Sequence, residues 1–483
     1  METLDYYDSF SIIHALAYSF IGFQTAYLAT HWNPIYWNTA CLIVNSGSLM
    51  EDSDYEEDED GNLVKKKEKS ADYGKIAKAL GEILSRNIKI SLIDINKSNY
   101  TFEPDDVNNE ILFGLKALSG IGGPVIEQIL ANRPYTGIKD FMTRCPLNKT
   151  AMISLIKAGA FDKVEEEWGK QLGVEPRIAV MTYYLSQVSE PKKKLNLQNF
   201  NGLIQANLIP QEMELQKKSY LFNKFLRGNQ RVGDYYIFNE ACETFYNQFF
   251  DIEQLEVIQG HICISQLKWD KMYQKVMDAA RDWLRDNQEE VLRQYNTYLF
   301  KEMWKKYAVG SISTWEMEAL CFYYHDHELK NVNKQKYGLV NFFDLASEPI
   351  IDTVFKRNGK EIPLFKLFKI AGTVINKNDA RSSISLLTTE GVVTVKFTRD
   401  YYAMYARQVS ERQEDGTKKV IEKGWFNRGT KVLCTGYRRD DMFITKTYAK
   451  TPTHQLYKII SIDKDGNLEL IHDRAKGKEE EEE

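Results

Sequence analysis

The chain has 483 residues, too many for one hydrophobic core, and should divide into roughly three or four domains. Its 43% hydrophobic and 27% charged residues are ordinary for a soluble globular protein. A net charge of −5 would argue against nucleic acid, but eight acids fall in residues 51–60 and five in 479–483, with no Lys or Arg among them, so the rest of the chain stands at +8. The folded part is therefore basic. The acidic runs read as solvated loops or tails, since like charges repel; competition with DNA for a basic groove is the other reading of them.

Six cysteines, Cys41, Cys145, Cys242, Cys263, Cys321 and Cys434, form no CxxC pair, which excludes a zinc ribbon or a thioredoxin-like motif and fits a reducing cytoplasm. Glu2, Asp5 and Asp8 replace the basic start of a signal peptide. The apolar stretch Ile12–Leu28 is interrupted by His14, Ser19, Gln24 and Thr25. It predicts a buried amphipathic helix rather than a membrane span.

In chain order, residues 9–45 read as two helices, from about Ser11 to Thr30 and, after the Asn33-Pro34 break, through about Val44. An acidic loop insertion follows at 51–70. Helix returns near Asp72–Arg86, with Ile76, Leu80, Ile83 and Leu84 on one face. Short strands near Lys89–Ile93 and Glu110–Gly114 bracket a turn-rich stretch. Residues 111–165 read as short helices with glycine hinges, and 166–350 as a mainly helical linker or insertion, with one long amphipathic stretch at 271–308. From 351 to 462 the period becomes two in Phe368–Val374, Ser383–Leu387, Val392–Phe397 and Lys431–Tyr437, which predicts a small barrel. Residues 463–483 read as a tail opened by a β-turn at Asp463–Asn467.

Two constellations carry chemistry. In Leu115–Ile129, apolar residues at Leu115, Leu118, Ile121, Ile126 and Ile129 flank Gly120-Ile121-Gly122-Gly123-Pro124. This is helix–hairpin–helix spacing: glycines admit a phosphate close to the backbone, and Pro124 suits a first helical turn whose amides face an anion. A glycine helix cap inside a core is the plainer alternative. A second, less regular copy is predicted at Asn148–Asp162, turning at Ala158-Gly159-Ala160. The barrel segment combines a Gly372 kink with Lys396, Phe397, Arg399, Trp425, Tyr437, Arg438 and Arg439, the cation-plus-aromatic mixture that holds single strands. Phe397 and Trp425 serve equally well as barrel core.

Other sites are rejected. His325 and His327 stand two apart and lack a third ligand; Asp58-Glu59-Asp60-Gly61 lacks the bidentate Glu of a calcium loop.

Taken in order, these segments resemble the C-terminal part of the replicative DNA polymerase III alpha subunit family of bacterial and phage type. Phe10–Tyr18 and Phe23–Leu28 look like its fingers motif, Asp94-Ile95-Asn96-Lys97-Ser98 matches a second segment, and Phe113-Gly114-Leu115 through Asp162 matches its tandem hairpins. Trp315–Leu320 and Phe322–Leu329 resemble the linker before its OB domain, which makes His325 and His327 packing residues. Ile370–Val374 and Val392–Phe397 resemble that domain's first strands.

The resemblance implies a multidomain α+β protein: mainly α-helical fingers and tandem helix–hairpin–helix, then a C-terminal OB-like β-barrel. It implies DNA-templated DNA synthesis on primed DNA with dNTPs. Ser11, His14 and Tyr18 would face the incoming nucleotide, and His14 would donate to a phosphate oxygen. Lys97 and Ser98 would touch template or primer backbone. The family's palm holds two Mg²⁺ on three carboxylates, and no Asp-x-Asp on an apolar strand offers such a palm here. A palm-bearing partner chain from a split gene is the preferred explanation, Met1 lying just before the fingers motif, and truncation the other. A non-catalytic DNA-binding remnant is the rival function, and a scaffold docking through 271–308 a third. The family's sliding clamp binds a Gln-plus-aromatic peptide, for which Gln248-Phe249-Phe250 is only a partial match.

Overall fold

In the computed structural model, the described residues are 12–48, 55–57, 63–65, 71–86, 88–228, 231–250, 254–357, 359–412, 418–449, 451 and 453–474. Ser11, most of the acidic run and the terminal glutamates lie outside them, as does the His14 side chain. Backbone contacts divide the chain into two compact units, Met1–Val180 with Gly310–Glu483, and Met181–Val309.

In the first unit, helices Ile12–His31 and Pro34–Asn45 meet at Asn33, whose side chain accepts the Ile35 N–H at 3.1 Å, with Pro34 in the first turn. The first helix departs from expectation. Ile12, Ile13, Leu16, Phe20, Ile21 and Phe23 are all more than half exposed, because no described segment of this chain covers them. The acidic insertion contains two short antiparallel strands, Tyr55–Glu57 and Leu63–Lys65, where a loop is expected. Helix Tyr73–Ser85 buries Ile76, Leu80 and Ile83. The predicted strands shrink to Lys89–Ile90 and Glu110–Leu112, which pair in parallel, with Glu103–Asp105 added antiparallel. Helices Gly123–Ala131, Ile138–Arg144, Lys149–Lys157 and Glu166–Leu172 follow.

The barrel strands are β1 (Phe368–Asn378), β2 (Ser383–Leu387), β3 (Val392–Lys396), β4 (Lys431–Arg439) and β5 (Met442–Thr445). They close in the order β1-β2-β3-β5-β4-β1, every pair antiparallel except β3 with β5. A helix, Arg399–Ala406, lies between β3 and β4 in sequence. This is an OB-like barrel. Gly372 is required by β2, since a Cβ there would stand 2.6 Å from the Leu387 carbonyl oxygen. Alternating residues Ile370, Val374, Ile384, Leu386, Val393, Val395, Val432 and Cys434 fill the interior with Trp425 and Phe426.

Two boundaries shift. Residues 351–365 form a separate hairpin, Ile351–Arg357 with Lys360–Phe365, so the barrel starts later than 351. Strands Leu456–Ile462 and Leu468–Ile471 extend its sheet past 462. The turn between them is the one its sequence predicts, with Asp463 Oδ1 accepting the N–H groups of Asp465 and Asn467.

The second unit is not purely helical. Strands Arg231–Val232, Tyr235–Ile237, His261–Ser265 and Glu256–Ile258 form one antiparallel sheet in that spatial order. The long amphipathic stretch breaks at Asn287 into helices Gln266–Asp286 and Gln288–Tyr307. Trp269, Tyr273, Met277, Ala280 and Leu284 pack inward against Phe222, Leu226 and Tyr246.

Candidate nucleic-acid interface

The hairpin segment folds by its apolar spacing. Leu115, Leu118, Ile121, Ile126 and Ile129 are buried and anchor it, which leaves the glycines between them at the surface. Gly120 and Gly122 are exposed, while Ile121 and Gly123 are buried. Gly120 takes φ +82°, a left-handed backbone that a side chain resists. A Cβ there would meet only Thr150 Cγ2, at 3.5 Å. At Gly122 a Cβ would meet nothing nearer than Pro124 Cδ at 4.0 Å. The turn is an open backbone edge leading into helix Gly123–Ala131, with Pro124 in its first turn. The first amides of that helix have no intrahelical partner, and its dipole favours an anion there.

Arg428, which sequence reading passed over, stands at this edge. It is exposed, donates from Nη1 to Ser119 Oγ at 3.2 Å, and lies 4.1 Å from the Tyr73 ring centre. Ser119 is itself fixed: its N–H donates to the Ala319 carbonyl at 2.9 Å, and its carbonyl accepts from Ser154. Helix Lys149–Lys157 begins beside Gly120, capped by Asn148 Oδ1 on the Ala151 N–H at 2.9 Å. An arginine and the starts of two helices thus meet at one open glycine turn, an arrangement suited to phosphate oxygens without regard to base.

The expected second turn is different. Ala158, Gly159 and Ala160 are all buried, and a Cβ on Gly159 would collide with the Arg177 guanidinium. Arg177, 1% exposed, donates to Asp162 Oδ2 at 2.6 Å, Glu316 Oε1 at 3.1 Å and the Lys157 carbonyl at 3.1 Å. Glu316, wholly buried, accepts the N–H groups of Tyr324 and His325 at 3.0 Å. This turn is a structural knot and offers no backbone to a phosphate.

The Asp94–Ser98 segment divides in the same way. Lys97 is exposed, whereas Ser98 is 2% exposed and its Oγ accepts the Asp94 N–H at 3.0 Å. Asn96 and Tyr135 exchange two hydrogen bonds of 2.8 Å, pinning the segment to the loop after the first hairpin. Its sequence therefore encodes a brace, from which Lys97 projects.

On the barrel, the core alternative for the aromatics is the one observed. Phe397 packs 4.9 Å from Phe426, and Trp425 is fully buried with its indole N–H on Glu422 at 2.6 Å. Tyr437 is buried against Phe365, ring centres 4.8 Å apart. Arg438 spends its guanidinium on the carbonyls of Leu345 and Asp440, at 2.7 and 2.8 Å. Lys396 and Arg439 remain exposed, Arg439 lying 5.7 Å from the Tyr437 ring. Of Ser11, His14 and Tyr18 only Tyr18 is described in full, and it is exposed.

A polar seam ties the barrel to the segment before it. Glu328 accepts from Lys431 at 2.8 Å and from Tyr323 and Thr314 at 2.9 Å, and Tyr323 also meets Thr373 at 2.8 Å. Burial pushes the Glu328 carboxyl up, but the Lys431 hydrogen bond and charge outweigh it and hold the group below its ordinary value. His327 Nε2 bonds the Leu387 carbonyl at 3.0 Å, and its Nδ1 accepts the Leu329 N–H at 3.0 Å. Burial lowers its pKa and favours that neutral tautomer. His325 turns Nδ1 to Glu316 at 2.6 Å. His327 is thus a packing residue, whereas His325 is exposed and tethered to the buried Glu316.

Among the described residues, no helix is long and apolar enough to cross a membrane, and no group of three His, Cys, Asp or Glu is placed to hold a metal. Gln248-Phe249-Phe250 closes helix Glu240–Phe249 rather than forming an extended peptide.

Residues 87–170 match a helix-hairpin-helix motif family. The chain is 38% identical over 479 residues, 97% of its length, to a probable DNA polymerase, YorL, of Bacillus subtilis strain 168, covering 35% of that protein. The same values hold for a DNA-directed DNA polymerase of Bacillus phage SPbeta. A DNA polymerase III subunit alpha of Thermus aquaticus is 34% identical over 174 residues, 35% of this chain and 12% of that one. The chain thus spans about a third of the length of the first two relatives. Similarity across nearly all of this sequence, joined to a hairpin and an OB-like barrel in the expected order, places the chain in the DNA polymerase III alpha-type family.

Proposed function

We propose that this chain is the DNA-gripping portion of a template-directed DNA polymerase. The observation that carries the reading is the solvent-open Gly120–Gly123 turn with Arg428 at its mouth. Duplex phosphates seat there, and the single-stranded template passes the exposed Lys396 and Arg439 of the barrel. The incoming dNTP meets Tyr18 and His14 of helix Ile12–His31, together with Ser11, which precedes that helix in sequence. The described residues do not fit the two Mg²⁺ ions of the reaction, so no chemical step is drawn through this chain. Those ions belong on the palm carboxylates of a partner polypeptide.

The exposed helix Ile12–His31 supports such a partner. Large apolar side chains exposed together on one helix mark an interaction surface, and burying each of Ile12, Ile13, Leu16, Phe20 and Phe23 is worth roughly 1.5–3 kcal/mol. A surface of that kind fits the palm-bearing polypeptide.

Primer extension tests the reading. The purified chain, primed DNA, dNTPs and Mg²⁺ are combined with and without a palm-bearing polymerase polypeptide. Extension only with both supports it. Extension by this chain alone contradicts the division of labour, and DNA binding with no extension in either mixture favours a non-catalytic DNA-binding module.

A further inference from the structure

The second unit carries a cleft that the proposed function leaves unused. Helix Gln266–Asp286 turns Trp269, Tyr273 and Met277 inward. Lys268, Lys271 and Lys275, at spacings of three and four, therefore share a neighbouring face. They border a cavity of about 670 Å³ with Gln248, Phe249 and Met272. Phe249 is half-buried and lines the cleft, with the Lys218 ammonium 5.1 Å from its ring centre. Lys268 is engaged by Glu256 at 2.6 Å. Lys271 and Lys275 stand beside it on the same helix without a carboxylate partner among the described residues.

We infer that this cleft binds single-stranded nucleic acid, with backbone phosphates on Lys271 and Lys275 and a base against Phe249. Three features favour that ligand over an acidic peptide. The cations flank an aromatic ring, as sequence-blind binding of single strands requires. The Gln248 side chain beside the ring offers a donor and an acceptor to any base edge. The volume suits a single nucleotide rather than a folded partner. The inference rests on the proposal that this chain handles DNA, and it gives the second unit a part in doing so, as a further hold on the single strand outside the hairpin and the barrel.

Cross-linking of the full chain to a 5-bromodeoxyuridine-substituted oligonucleotide tests it, with the linked peptides mapped by mass spectrometry and affinity followed by anisotropy. Cross-links to residues 247–276 are expected. Lys271→Glu with Lys275→Glu should weaken binding by roughly tenfold or more and reduce the salt slope by about 1.4, two phosphates at about 0.7 each. Phe249→Ala should cost about tenfold. Lys305→Glu with Lys306→Glu, on another helix of the same unit, should leave the cleft cross-links in place and controls for net charge. Cross-links confined to the hairpin and barrel overturn this inference and leave the proposed function standing. Cross-links confined to the cleft keep it and overturn the proposed grip. Stronger competition by free dTTP or by a polyglutamate peptide than by unlabelled oligonucleotide also overturns it.

Discussion

Gly120 and Gly159 share a backbone angle, φ +82°, and both lie in short turns after apolar runs, yet their surroundings are opposite. Gly120 opens to solvent with only Thr150 near its missing side chain; Gly159 is closed over by Arg177 and Asp162. A left-handed glycine therefore states only that the chain must turn. Whether the turn is a ligand edge or a knot is decided by what fills the Cβ position, and here a distant arginine fills one and not the other.

The comparison breaks most visibly at Arg177. Arg177→Met leaves Glu316 and Asp162 without their buried counter-charge and should destabilise the first unit by about 3–5 kcal/mol, read by denaturant unfolding. Gly159→Ala should cost about 2 kcal/mol, since the new methyl meets Arg177 and stands 2.7 Å from Asp162 Oδ2 in a strained backbone. DNA affinity per folded molecule should not change. Gly122→Val sharpens the contrast from the other side. Its φ of −102° suits any residue, so stability should move by less than about 0.5 kcal/mol. Duplex affinity should fall roughly tenfold, about 1.4 kcal/mol, as the added bulk shields the amide edge. A loss of stability without a loss of binding would make the two turns alike.

The smallest effect concerns the seam beside the knot. His327 is held neutral by burial, so its pKa in the folded state lies below the ordinary 6.5. Below about pH 6.5 the unfolded chain takes the proton first, and stability is lost as pH falls toward the folded value. Glu328, also lowered, adds a further loss below its ordinary 4.5. Thermal unfolding at about pH 7.5 and pH 5.5 should show the first loss, and His327→Gln should diminish it.

Much of this was legible from residues alone. The first hairpin follows from five apolar positions around a glycine turn, and the barrel from alternation sustained over strands as long as the nine residues of β4. The four-stranded sheet of the second unit was not legible, because strands of two to five residues carry too little alternation to stand out among helices. The Arg177 knot joins residues 15 and 139 positions away, and no local pattern announces such pairings. Arg428 was missed for the same reason, its contact with Ser119 spanning 309 positions. Phe397, Trp425 and Tyr437 have the composition of a stacking platform, but alternation alone does not tell an inner face from an outer one. The helix Ile12–His31 reads as buried because apolar residues ask for cover, and sequence does not say which polypeptide provides it.

Amide hydrogen exchange on the full chain, with and without primed duplex DNA, puts the open hairpin turn to its sharpest test. New protection is expected at residues 119–125 and none at 158–161, where the amides are already enclosed. Unchanged exchange at 119–125 under saturating DNA would contradict the proposed grip.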